Sequence, residues 1–132
     1  MKKKESSQND SYLLDSSAWL AYFYGENKMV SDYIESELIL LSSTLSLLEV
    51  KRKLKKENVG EEKISKVVQF MTQRSILMDV TQEISEMASD LSLENDLQVV
   101  DSIMYTTAAI NKSILVTGDP QYKNIKNTVV IS

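Results

Sequence analysis

Five short runs of this chain are apolar almost throughout: Tyr12–Asp15 (YLLD), Leu38–Leu41 (LILL), Ile76–Val80 (ILMDV), Ser113–Thr117 (SILVT) and Thr128–Ile131 (TVVI). A strand with one wet face alternates apolar and polar residues, whereas a continuous run is expected where both faces are covered. Between the runs the pattern shifts to helical spacing. Ala18, Trp19, Tyr22 and Phe23 form one stripe, which Gly25 closes, and Met29, Val30, Tyr33 and Ile34 form another over Asn27–Ser36. Ser42, Ser43 and Thr44 offer N-caps for a helix running to about Asn58. Ile64, Val67, Val68 and Met71 line a further helix after Gly60; Ile84, Met87, Ala88 and Leu91 line one over Thr81–Glu94. Leu97–Val100 leads into a last helix over Asp101–Ile110. Strands alternating with helices predict an α/β fold, a central parallel sheet of about five strands with helices on both faces.

The 132 residues fit one domain. A chain of that size buries roughly two-thirds of its unfolded surface, so it needs no covalent staple. There is no cysteine and no histidine. Thiolate zinc sites, cysteine nucleophiles, serine triads and imidazole acid–base chemistry are therefore excluded. Chemistry here must run on carboxylates, hydroxyls, lysines or a metal held by oxygen. The net charge of −4 argues against general electrostatic binding of nucleic acid and leaves room for a local basic rim. No apolar run approaches the roughly 18 residues of a membrane span. The start, MKKKESSQND, is basic and then polar, so it does not read as a secretory signal. Residues 1–10 are expected to form a flexible tail, residues 11–132 the domain, and the protein to be cytoplasmic.

Open α/β sheets bind ligands beyond the carboxyl ends of their strands. Asp15 closes YLLD, Asp101 follows LQVV, and Asp119 follows ILVTG; Glu49 lies early in the helix after the second run, within reach of the same edge. Four converging carboxylates repel one another unless something positive sits among them. Hard cations such as Mg²⁺ or Mn²⁺ prefer oxygen ligands, and no softer ligand is on offer. Each acid also has a purely structural reading. Asp15 and Asp101 can cap helices, Asp119-Pro120 can open a turn, and Glu49 can pair with Arg52 or Lys53.

Three segments, LLDSSAWLAYFYGE, SSTLSLLEV and LQVVDSIMYTTAAINKSILVTGDPQYKNI, together resemble a PIN domain across roughly residues 11–132. More narrowly, they are similar to the small prokaryotic PIN proteins typified by VapC toxins. The resemblance implies a metal-dependent endoribonuclease, the toxin half of a toxin–antitoxin pair. It implies that Asp15, Glu49, Asp101 and Asp119 form the Mg²⁺ or Mn²⁺ centre, with Asp15 and Asp101 central. It also implies an RNA substrate, a small antitoxin as partner, and a homodimer. Two departures stand out. Ser102 follows the third acid where many members have alanine, and Gln121 and Tyr122 occupy the stretch where many carry a further acid. The second departure bears on a second metal site.

Ser16 and Thr117 are further candidates, able to orient a water or a phosphate oxygen; as capping and strand-end hydroxyls they also have structural uses. Arg52, Lys53 and Lys56 stand three, four and seven residues after Glu49, on its face of the helix, while Leu47, Val50 and Leu54 take the other. That face is either a basic strip for phosphates beside the centre or an ordinary solvated surface. Trp19, Tyr22, Phe23, Met29 and Tyr33 include more aromatics than a small core obviously needs, so some can serve as a contact for the antitoxin or a second copy. Trp19, Tyr22 and Phe23 could stack bases, though on an amphipathic helix such residues are more often core or interface. The alternative reading is a non-catalytic PIN scaffold that binds RNA or protein, against which the presence of all four acids counts. A response-regulator receiver is set aside. It needs an acidic pair after the first strand, a phosphoacceptor after the third and a late lysine; here Asp15 stands alone, Asp79 falls within the third run, and no lysine ends TVVI.

Overall fold

A computed structural model describes residues 11–131. The tail expected at residues 1–10 lies outside them. The elements run β1 (Ser11–Leu14), α1 (Ser16–Phe23), α2 (Lys28–Ile34), β2 (Ile39–Ser43), α3 (Thr44–Lys56), α4 (Glu61–Arg74), β3 (Ile76–Met78), α5 (Gln82–Asn95), α6 (Val99–Ile110), β4 (Ile114–Thr117), a 3₁₀ turn (Pro120–Tyr122) and β5 (Thr128–Val130). The five strands form one parallel sheet in the order β3-β2-β1-β4-β5. The α/β expectation holds. The order also separates this chain from receiver domains, whose sheet runs 2-1-3-4-5.

Register explains why the strand runs are apolar on both sides. Leu13 pairs with Leu41 on one neighbour and Leu115 on the other, so these three share a face. They pack with Leu97, Met104, Tyr105, Ala108 and Tyr122. One step along, Leu14 is level with Val116, and these two join Leu40 in packing with residues of α1 to α4, including Trp19, Val50, Leu54, Ile64 and Met71. Leu13, Leu14, Leu115 and Val116 are fully buried, each worth about 1.5–3 kcal/mol relative to exposure. A one-residue slip of β1 would exchange its faces and undo the packing on both sides at once.

The helices start and stop for local reasons. Asp15, Asn27, Ser43 and Thr81 cap α1, α2, α3 and α5 with side-chain oxygens. Gly25 follows α1 at φ +68°, a conformation that favours glycine. Trp19, grouped by sequence with the surface aromatics, is fully buried, and its indole Nε1 donates to Ser42 Oγ at 2.9 Å. It therefore has no surface role: a serine inside the buried strand β2 gives the ring the acceptor it needs. Tyr22 instead stacks on Phe70 of α4, with ring centroids 5.8 Å apart, and Phe23 meets the same ring edge-on.

The structure differs from the sequence reading in several places, β2 among them, which runs two residues beyond Leu41. β3 ends at Met78, so Asp79 follows the strand and is exposed. Met87, expected to point inward, is 38% exposed, whereas Ile84 and Ala88 of the same helix are buried. Most consequentially, α6 begins at Val99 with Gln98 as its N-cap residue, so LQVV is no sheet edge and Asp101 is not a cap. Val99 and Val100 fail as strand residues because they stand in the helix's exposed first turn. Among the described residues, no helix is long and apolar enough to cross a membrane.

Candidate active site

The strand order reverses between β1 and β4, and the crevice at such a switch point is where doubly wound sheets bind ligands. Asp15 leaves β1 there and Asp119 lies two residues past β4. Asp101 comes from the first turn of α6 and Glu49 from the second turn of α3. Two acids are thus delivered by the sheet and two by helices that reach over its carboxyl edge.

Asp15 is 5% exposed. Its Oδ1 accepts from Ala18 N at 3.0 Å, the capping bond, and from Ser17 Oγ at 2.7 Å; its Oδ2 accepts from Thr117 Oγ1 at 2.5 Å. Capping is therefore real, and it does not use up the group. A carboxylate has about four acceptor positions, which leaves one on Oδ2. Burial pushes this carboxyl up to about 6, against the pull of Ser17, Thr117 and Ala18, and Asp101 adds a smaller push in the same direction.

Asp101 is the common neighbour. Burial raises its carboxyl above the ordinary range, and Asp119 and then Glu49 raise it further, while Gln121 and Tyr122 pull it down. Gln121 Nε2 donates at 2.8 Å to Asp101 Oδ2 and at 2.8 Å to Asp119 Oδ2. Asp119 Oδ1 accepts from Gln121 N at 3.0 Å, so this acid does open a turn, with Pro120 at its first position. Glu49 does not pair along its helix: Oε1 accepts from Ser16 Oγ at 2.7 Å, and Lys53 pairs with Glu57 instead. Arg52, Lys53 and Lys56 are exposed, and Leu47, Val50 and Leu54 turn inward.

Three residues near the acids make bonds that sequence reasoning did not foresee. Ser17 donates to Asp15 and accepts from Gly118 N at 2.8 Å. Gly118 suits that approach, because a Cβ there would stand 3.3 Å from Ser17 Oγ. Tyr122, fully buried, donates its hydroxyl to Asp101 O at 2.9 Å; burial and the nearby acids keep that phenol protonated. Gln121 is the third. The advance signals were the pair of serines after Asp15 and the departure at Gln121 and Tyr122.

Among the described residues, no lysine or arginine is bonded to any of the four carboxylates, and all the donors are oxygen. Among the described residues, no three of them converge closely enough to hold an ion jointly. Mg²⁺ does not require that. It keeps several waters and binds through one or two carboxylates, so the free acceptor position of Asp15 and the neighbouring Asp101 fit a hard divalent cation in donor chemistry.

A carboxylate-lined switch point on this fold defines a class of small α/β proteins. The PIN domain family model matches residues 12–127, and the chain belongs to the PIN domain family. None of the curated proteins matches it in sequence. Solved structures share its fold. A toxin–antitoxin complex from Klebsiella pneumoniae is 21% identical with a TM-score of 0.75, covering 90% of this chain and 96% of that one. VapBC2 from Rickettsia felis, bound to a DNA fragment from its promoter, is 15% identical with a TM-score of 0.74, covering 92% and 99%. VapC20 from Mycobacterium tuberculosis, a toxin that cleaves the sarcin–ricin loop, is 14% identical with a TM-score of 0.65, covering 81% and 87%.

Proposed function

We propose that this protein is a Mg²⁺- or Mn²⁺-dependent endoribonuclease and the toxin of a VapBC-type pair. The observation that carries the reading is the gathering of Asp15, Glu49, Asp101 and Asp119 beside the switch point, Asp101 and Asp119 joined through Gln121, with no lysine or arginine bonded to the four among the described residues. Burial raises the Asp15 and Asp101 carboxyls most, the neighbouring acids add to it, and a divalent ion would offset both. Asp15 and Asp101 would hold the ion, with Glu49 and Asp119 completing the centre directly or through water. Bound there, the ion would supply a water of lowered pKa and offset charge on the scissile phosphate.

The chain's own groups do the rest. Thr117 and Ser17 fix the Asp15 carboxylate from two sides, and Ser16 fixes Glu49. Arg52, Lys53 and Lys56 would take phosphates flanking the cut. Tyr22, Phe23, Met29 and Tyr33, beside Phe70, would meet an antitoxin or a second copy in a homodimer. Two of the structural neighbours above are toxin–antitoxin or VapBC complexes, which supports an antitoxin partner.

The test is cleavage of a panel of structured RNAs by protein freed of any co-purifying partner. Cutting in Mg²⁺ or Mn²⁺ that stops with EDTA is expected. RNA that is bound and never cut, with metal present, would favour a non-catalytic scaffold.

A further inference from the structure

One neutral side chain already stands between two of the four acids. Both N–H groups of the Gln121 amide nitrogen are engaged, one by Asp101 Oδ2 and one by Asp119 Oδ2. The amide is placed from its own turn. Gln121 N holds Asp119 Oδ1, Pro120 begins the turn, and the buried Tyr122 ties it to α6 through the Asp101 carbonyl. One residue thus clasps Asp119 by main chain and side chain together and draws Asp101 toward it.

That clasp has a consequence for how many ions the centre takes. Two ions in a carboxylate site share a bridging acid, and Asp101, which Gln121 joins to Asp119 and whose charge reaches Asp15, is the acid placed to bridge. A second ion would sit between Asp101 and Asp119, where the amide nitrogen now is. An N–H donor cannot ligate a cation, and the amide brings no negative charge to attract one. Resting on the metal-centre reading, we propose that Gln121 is a positioning residue that limits this centre to a single divalent cation on the Asp15–Asp101 side.

Mn²⁺ binding to the full chain, followed by electron paramagnetic resonance of the free ion and by calorimetry, tests this without reference to catalysis. The wild type should take one ion per chain. Gln121→Glu, which sets a carboxylate where the amide was, should take two. Gln121→Ala, which opens the clasp without adding charge, should also admit a second ion, more weakly; it keeps the test valid if the added charge of Gln121→Glu impairs folding. Two ions on the wild type, or a single ion on Gln121→Ala, overturns the proposal while leaving the metal centre standing. A folded wild type that takes no Mn²⁺ at millimolar concentration overturns the metal centre itself, and this inference with it.

Discussion

The Thr117 hydroxyl donates to Asp15 Oδ2 at 2.5 Å across 102 positions of sequence, and accepts from Asp119 N at 3.0 Å. One side chain therefore ties the Asp15 carboxylate at the end of β1 to the main chain at Asp119, just past β4. Because it both donates and accepts, its proton is directed at Asp15. Asp15 and Asp119 follow β1 and β4, adjacent inner strands whose Leu13, Leu14, Leu115 and Val116 are fully buried, so the core fixes this side of the centre.

Stability in EDTA should fall as pH rises from about 4 to about 6. Asp15 ionises near 3.8 when unconstrained and at about 6 in the fold, so between those values the folded protein holds a proton that the unfolded chain has lost. The group's contribution is fully present below about 4 and is lost through about 6. A rise of that size on a nearly fully buried group corresponds to about 3 kcal/mol. Asp15→Asn should flatten this part of the pH profile in urea denaturation. Ser17→Ala removes a bond that lowers the Asp15 pKa and strands Gly118 N, so it should cost roughly 1–3 kcal/mol and move the fall to higher pH. A profile unchanged in both variants would contradict the assignment of Asp15 as the titrating group.

Metal should stabilise the folded chain. An ion that binds only the native state adds about 2.7 kcal/mol at a hundred times its Kd, enough to raise the melting temperature by several degrees. Thermal unfolding in EDTA and in millimolar Mn²⁺ measures it, and coincident midpoints would count against any ion at the switch point.

Replacing Arg52, Lys53 and Lys56 together should weaken RNA binding and flatten its salt dependence, by roughly 0.7 in the log–log slope for each phosphate no longer neutralised. Lys53 should matter least, since Glu57 stands 3.4 Å from its ammonium. An unaltered slope returns the three residues to an ordinary solvated face.

Much of this was legible in the chain because burial leaves a strong trace. β1 and β4, covered on both faces, are apolar almost throughout and could be read, as could the apolar edge strands β3 and β5 that are only partly covered. An acid just past such a run marks a sheet edge, as with Asp15 and, one glycine later, Asp119. Asp101 was reached partly for the wrong reason: LQVV reads as an extended run, yet Val99 and Val100 stand on an exposed helical turn, where apolar character says nothing of burial. Ser17 stood out only as one of two serines after Asp15 and Gln121 only as a departure from the family pattern, since their roles lie in hydrogen bonds with Gly118 and Asp101, 101 and 20 positions away. Trp19 could not be assigned to core or interface beforehand, because an aromatic stripe looks the same in both and its acceptor, Ser42, belongs to another element.

The most direct measurement of the central claim is RNA cleavage by three aspartate variants of partner-free protein in Mg²⁺ or Mn²⁺. Asp101→Asn removes the acid that the other three surround while nearly keeping its shape. The apo fold should be at least as stable as wild type, and cleavage should fall by orders of magnitude. Asp15→Asn should lose cleavage likewise. Asp79→Asn, on the exposed segment after the edge strand β3, should cut as the wild type does. Cleavage that survives in both the Asp101 and Asp15 variants would show that the activity does not come from this centre and would contradict its assignment as the active site.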